Sequence, residues 1–381
     1  MVHFCLLTRK EYLEHSITDL CITTKQFRHL RAKLCADVYR NDPAYRDNTT
    51  ALLKLILNSQ SCFARGAEIW PITVINTQGV SLACALLIRS RFQPDTMQVG
   101  FLEVVHGSPN PLKLLIKEAC SKARHYKCTN VLIGSNGHVN HGLGLLAGPF
   151  GYRPSFGSAY NPPHYIQMLA PLAHRTETLV TYCHDVATSP ISTNPRWIGR
   201  VTGKFNVRQG NFRRMKSEIA IYTQLNNQSF AEHSYYFERT SAEDLELFQA
   251  FGPLLREENF LVAEHNGRPV GFLLWYPDFN ELVSPGNTAG LATLLRYRLL
   301  GQRPMRCKIA ELGVLPEFRN SGAILALVAH CYSLVRGKYR IAESGWILEY
   351  NRLSIALNTR WHGKADKTYN VFHIDPYGIS G

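Results

Sequence analysis

No hydrophobic run in the 381 residues approaches the roughly 20 residues of a membrane span, so the sequence reads as soluble, with no membrane partner. The start, Met1–Lys10, lacks a basic region ahead of its short apolar patch, so no secretory signal is expected. No C-x-x-C pair occurs among the ten cysteines, which scatter from Cys5 and Cys21 to Cys331, several inside apolar runs such as 82–86. That argues against a disulfide framework and a zinc site. The thiols read as buried and free in a reducing cytoplasm, and no metal is expected. Acidic residues are scarce, 29 against 42 Lys and Arg, giving a formal net charge of +13 and a pI near 9.3. This suits encounter with an anion: nucleic acid, an acidic carrier protein or a phosphate-rich cofactor. Residues 186–217 hold no acidic residue. They carry Arg196, Arg200, Lys204, Arg208, Arg213, Arg214 and Lys216, interleaved with Trp197, Phe205 and Phe212. Such a stretch fits a carrier-protein or RNA surface, or equally an ordinary run of core aromatics.

What is present is enough apolar material, 45% of the chain, for two cores. Helical spacing is expected over 25–40 and 52–57, strands over 69–75, 81–88 and 98–105, a helix over 109–126 and a strand over 131–133. After a linker-like stretch around Pro190–Pro195 the same order returns. Helices are expected over 211–227 and 242–251. A hairpin follows around Asn266-Gly267, then a strand over 306–314, a helix over 323–336, a strand over 340–346, a helix over 351–361 and a strand over 367–374. The division is residues 1–180, a linker over 181–203, and 204–381.

Two glycine-containing stretches compete as a phosphate cradle. Residues 134–148, GSNGHVNHGLGLLAG, contain G-x-G-x-x-A, the shape of a dinucleotide fingerprint. Yet His138 and His141 fill the turn before its glycines, and no Asp or Glu occurs between Leu145 and Thr176 to hold a ribose. Two histidines without further ligands do not make a metal site. The stretch reads instead as the counterpart of 343–351, with Asn140 near the place of Asn351. The stronger candidate lies at 310–327, where a strand ends at Pro316 and a polar turn, Arg319-Asn320-Ser321-Gly322, opens into a helix at Ala323. A helix start aims unpaired N–H groups at one point, where a pyrophosphate fits. A plain helix capped by Asn320 or Ser321 has the same letters.

Val314, Pro316, Arg319 and Gly322 match V-x-P-x-x-R-x-x-G-x-G/A, with Ile324 in the last place. This resembles the acyl-CoA loop of the GNAT acetyltransferase superfamily. Residues 343–351, 367–372, 221–226, 267–272 and 277–280 are similar to the surrounding segments. In the first half, 140–146 and 160–165 resemble those of bacterial duplicated GNAT proteins. The resemblance implies an α/β (α+β) fold of two tandem GNAT domains, each a mixed, mostly antiparallel sheet flanked by helices. The first domain, with 106–112 in place of the loop, would have lost its pyrophosphate site.

The resemblance further implies direct transfer of an acyl group from acetyl-CoA or another acyl-CoA to an amine. Leu312, Gly313, Val314, Arg319, Asn320, Ser321, Gly322, Ala323 and Asn351 would contact the donor. Glu311 is the first candidate base, against a carboxylate merely paired with Lys308 or Arg306; Glu343 is the second. Asn358 stands where many members carry the tyrosine that protonates the leaving thiolate, so Tyr369 is the candidate donor, against a packing aromatic. The acceptor would be a small metabolite, amino acid or peptide-like natural product. An acyl carrier protein or aminoacyl-tRNA as donor, and a scaffold without catalysis, are the alternatives.

Overall fold

The apolar runs Ser81–Ser90 and Arg268–Pro277, buried almost end to end, become inner strands of one sheet in this computed structural model. It describes residues 15–18, 23–107, 109–193, 196, 199 and 203–378. The strands of the first half are β1 (His15–Thr18), β2 (Ala67–Asn76), β3 (Ser81–Ser90), β4 (Thr96–Val104), β5 (Asn130–Ile133), β6 (Leu145–Gly148) and β7 (Arg175–Asp185). Those of the second are β8 (Asn206–Gln209), β9 (Phe260–His265), β10 (Arg268–Pro277), β11 (Arg306–Val314), β12 (Ile341–Ser344), β13 (Ile347–Leu348) and β14 (Lys364–Ile374).

Their order is β1-β2-β3-β4-β5-β14-β7-β12-β11-β10-β9-β8, with β6 on β14 and β13 on β7. Replacing each strand by its counterpart in the other half reverses this order onto itself, so the halves are related by a pseudo-twofold. The two last strands are exchanged. β7 leaves the first half to pair antiparallel with β12, while β14 returns to pair antiparallel with β5. The two meet each other along the axis, from Lys364↔Cys183 to His373↔Arg175. The expected boundary at residue 180 therefore falls inside β7, a strand whose alternating Thr176, Thr178, Val180 and Tyr182 carries the chain into the second half's sheet.

Within each half the outer strands form an antiparallel meander and the next strand is parallel: β4 with β5, β11 with β12. Asn266 and Gly267 both have positive φ, 52° and 78°, as the tight β9–β10 turn requires. The helix Asn110–His125 buries Leu112, Leu115, Ile116 and Ala119 at i, i+3, i+4 and i+7, each at most 1% exposed. A leucine or isoleucine buried so completely contributes roughly 1.5–3 kcal/mol. Ala323–Val335 does the same in the second half through Leu327, Val328 and Cys331. The opposite face of the second half is covered by Met215–Ser229 and Ser241–Phe251. No helix among the described residues is long and apolar enough to cross a membrane.

Candidate active site

β11 changes partners part-way along its length. Up to Ile309 it pairs with β12; Leu274 then faces Glu311 while Trp275 faces Ile309, leaving Ala310 as an extra residue in a bulge. Beyond it, Glu311–Val314 pair with β10 alone and their other edge is open among the described residues. A bulge bends and twists its strand in this way. Gly345 makes the close approach possible: a Cβ there would lie 2.6 Å from the Ala310 carbonyl oxygen. Gly313 serves the other face, since its Cβ would meet Phe272 at 2.7 Å and Ser229 at 3.0 Å.

The open edge leads into the turn Pro316–Gly322. Gly322 is the helix N-cap, with φ of 97°, so neither Asn320 nor Ser321 caps in the expected way. The Ser321 hydroxyl donates to the Phe318 carbonyl at 2.7 Å and accepts from Ala323 N–H at 3.3 Å. Among the described residues the N–H groups of Gly322, Ile324 and Leu325 have no acceptor. Ile324 packs its side chain against the core, so it leaves the mouth of the cradle to backbone. Arg319 lies exposed beside it, 2.9 Å from Glu232.

Glu311 stands at the bulge, half-buried, and accepts from the Tyr222 hydroxyl at 2.6 Å and the Asn226 amide at 2.8 Å. Both donors lie on one face of Met215–Ser229, four residues apart. Burial pushes the Glu311 carboxyl above its ordinary value despite those two hydrogen bonds and the Arg239 charge. Arg239 is itself buried and paired with Asp244 at 2.6 Å. A carboxylate with raised proton affinity, held by neutral donors at an open strand edge, is the environment of a general base.

Residues 223–363 match the acetyltransferase (GNAT) family. No curated protein matches the sequence. Among solved structures, the tandem GNAT protein from the clavulanic acid biosynthesis pathway aligns over 97% of this chain and 100% of its own, with a TM-score of 0.58 at 12% identity. A glucosamine N-acetyltransferase region of a fungal multi-domain GH3 β-N-acetylglucosaminidase aligns over 94% of this chain and 38% of its own, at 0.59 and 14%. A GCN5-related N-acetyltransferase from Kribbella flavida aligns over 96% and 72%, at 0.50 and 11%. The chain has the fold of a tandem GNAT protein.

The remaining predicted residues fall in three places. Leu312, Gly313, Val314 and the Arg319–Ala323 turn form one continuous edge with Glu311. Asn351 caps Arg352–Arg360, its side chain accepting from Ser354 N–H at 3.1 Å, so its carboxamide oxygen is engaged in the helix. Glu343 and Tyr369 are buried away from this edge, on β12 and β14, which both pair with β7. Glu343 is 1% exposed, 2.9 Å from Arg306 and 3.3 Å from Lys367. Burial alone would raise it, but Lys367, Lys308, Ser155 and Arg306 outweigh that and hold it below the ordinary range. Such a carboxylate favours its charged form, and it stands among cations and not on the open edge with Glu311. Tyr369 is buried, its Oη beside Ser158 without a well-formed hydrogen bond.

The first half closes the corresponding strand edge. Phe101 occupies in β4 the place of Glu311 in β11, the sixth residue of each nine-residue strand. In the β4 bulge, Phe101 N–H donates to Asn136 Oδ1 at 2.8 Å, and before it Gln98 pairs its carboxamide with the backbone of Gly137 at 2.9 and 3.2 Å. Val104 N–H is bonded by the Tyr165 hydroxyl at 2.8 Å. The glycine-rich loop 134–144 is thus folded back onto the edge that lies open in the second half. His138 and His141 are desolvated, hence held below the usual histidine range, and they bond the Phe237 and Asn136 carbonyls. Asn140, from the same loop, crosses to the second half and donates to the Tyr222 hydroxyl at 3.1 Å.

Tyr222, Asn226 and Asn140 are the site residues that sequence reasoning missed; the i, i+4 spacing of Tyr222 and Asn226 on one helix face was a signal for those two, and Asn140 had none. Of the acid-free stretch, Trp197 and Arg200 lie outside the described residues. Phe205 is buried, and Arg208 is spent on Glu218 and Glu264 at 3.0 and 2.7 Å.

Proposed function

We propose that the second half is an N-acyltransferase acting with acetyl-CoA or another acyl-CoA, by direct attack of an amine. The observation that carries this is the position of Glu311: at the bulge where β11 parts from β12, on the edge that runs into the unpartnered N–H groups of Gly322, Ile324 and Leu325. Those N–H groups and Arg319 would hold the pyrophosphate, and the open edge at Leu312–Val314 the pantetheine arm. When bound, acyl-CoA would supply a thioester carbonyl for the C–N bond, its C–S bond breaking to a thiolate that takes up the second proton lost by the attacking nitrogen. Backbone N–H on the open edge stabilises the oxygen that gains charge. Glu311 takes the proton that the ammonium must lose, with Tyr222 and Asn226 fixing its carboxylate. A carrier protein would present the same arm.

The acceptor is a small amine: a metabolite, amino acid or peptide-like natural product. The relation in fold to a protein of clavulanic acid biosynthesis supports the last of these.

Calorimetric titration with acetyl-CoA tests the reading. One site per chain is expected, and Arg319→Ala should raise KM for acyl-CoA several-fold more than it lowers kcat. Absence of heat with any acyl-CoA sinks the proposal. Binding that needs tRNA and collapses with modest salt would move the donor to aminoacyl-tRNA.

A further inference from the structure

The junction of the halves buries a lysine that forms no ion pair. Glu343 and Asp366 are both taken by Arg306 and Lys367, and Asp278, whose N–H bonds the Arg306 carbonyl, is paired with Arg153 at 3.8 Å. Arg306 contacts Glu343 at 2.9 Å and Asp366 at 3.5 Å, and Lys367 contacts both. Lys308 has no carboxylate within ion-pair distance among the described residues; its Nζ donates to the Ser158 hydroxyl at 2.6 Å. It is 6% exposed. An unneutralised buried ammonium costs several kcal/mol by itself, and a fold that keeps one has a use for it.

Two further groups there lack partners: Tyr369 Oη, a donor 3% exposed, and Glu343 Oε1, an acceptor 1% exposed. Cys183, Glu343 and Asp366 bring ligand-type atoms within 4.8 Å of one another, but Arg306 and Lys367 already supply the positive charge at that spot. Among the described residues Lys308 Nζ has a hydroxyl and no carboxylate at contact distance, a place an acidic group of a ligand can fill. Lys308 lies three residues before Glu311 on β11, and the bulge at Ala310 sets the two opposite Tyr276 and Leu274, which lie two residues apart on one face of β10. The cover is Pro154–Ser158 of the first half, part of a segment, 149–163, with no helix or strand. Its Ser155 bonds Glu343, and Asn280 holds the Pro154 carbonyl at 2.9 Å.

We infer that Lys308, Ser158 and Tyr369 form a carboxylate-binding subsite for the acceptor, so that the substrate is an amine bearing a carboxylate, with Glu343 Oε1 available to a donor group beside it. This rests on the reading of Glu311 as the base at the acceptor side. It also gives the first half a part in substrate selection, because its loop walls the subsite.

The test pairs 6-aminohexanoate with hexylamine, and lysine with lysinamide, in calorimetric binding and in CoA release from acetyl-CoA. The carboxylate-bearing member of each pair should bind at least roughly 10-fold more tightly and turn over preferentially; a 10-fold ratio is about 1.4 kcal/mol. Lys308→Met should erase that ratio, and Tyr369→Phe, which removes only the hydroxyl, should reduce it. Equal binding within the pairs, or a ratio unchanged in Lys308→Met of normal melting temperature, overturns the subsite. Carboxylate-dependent binding without any acetyl-CoA binding would leave the subsite standing and overturn the acyl-CoA reading instead.

Discussion

A base that must strip an ammonium works best when its own proton affinity is raised toward the working pH, and Glu311 has that raised affinity because it is desolvated. The same desolvation sets its effect on stability. A carboxyl whose folded pKa lies above its unfolded value, about 4.3 for Glu, adds stability below that value and loses it as pH rises through the folded pKa. At neutral pH the charged Glu311 is therefore a burden. Glu311→Gln keeps an oxygen for Tyr222 and Asn226 but carries no charge. It should lower kcat by roughly 10²–10⁴-fold while raising the melting temperature at pH 7. The gain should shrink to nothing as pH falls below the ordinary glutamate range, as thermal melts across pH can show. A variant both inactive and less stable at pH 7 would mean that Glu311 is a structural anchor. Glu311 was legible from its place on a strand ahead of a Pro-x-x-Arg turn. Its supports were not, since Tyr222 and Asn226 lie 89 and 85 positions away and no periodicity links a helix face to a strand bulge.

The elements were largely legible because each half repeats one apolar pattern. The expected helix over 109–126 is observed at Asn110–His125 and the expected strand over 306–314 at Arg306–Val314. What the pattern hides is where β11 leaves β12, because a bulge is a matter of register. Gly345 marks the place: it touches the Ala310 carbonyl just where the strands begin to diverge. Gly345→Ala puts a methyl 2.6 Å from that oxygen, a backbone contact that no side-chain rotation relieves. Overpacking of this kind costs roughly 1–3 kcal/mol. Urea unfolding should show that loss, and acetyl-CoA affinity should fall with it because the open edge is displaced. A variant with native stability and affinity would show that this contact does not set the divergence.

At the level of the molecule the exchange of β7 and β14 decides what can fold alone. Nothing in the residues of β7 announces which half it joins: a strand of alternating Thr, Val and Tyr suits either sheet, and the choice lies in the topology. Removing the second half would leave β5 with an unpaired edge and β7 without β12 and β14. Removing the first would strip β12 of β7 and β14 of β5. Exposed apolar edges of this sort invite pairing with other chains. Fragments 1–193 and 203–381, expressed separately, should therefore aggregate or self-associate. Expressed together they should assemble one to one, since the covalent link between them contributes only a modest loop-closure entropy. Copurification of a tagged fragment with its untagged partner, followed by a single melting transition, is the expected outcome. The hydrogen bond from Asn140 to Tyr222 and the cover of Pro154–Ser158 over Lys308 then add a catalytic reading: acyl transfer should return with assembly and be absent from 203–381 alone. A monomeric 203–381 fragment that melts cooperatively and transfers acyl groups would show that the exchange and the crossing loops are dispensable.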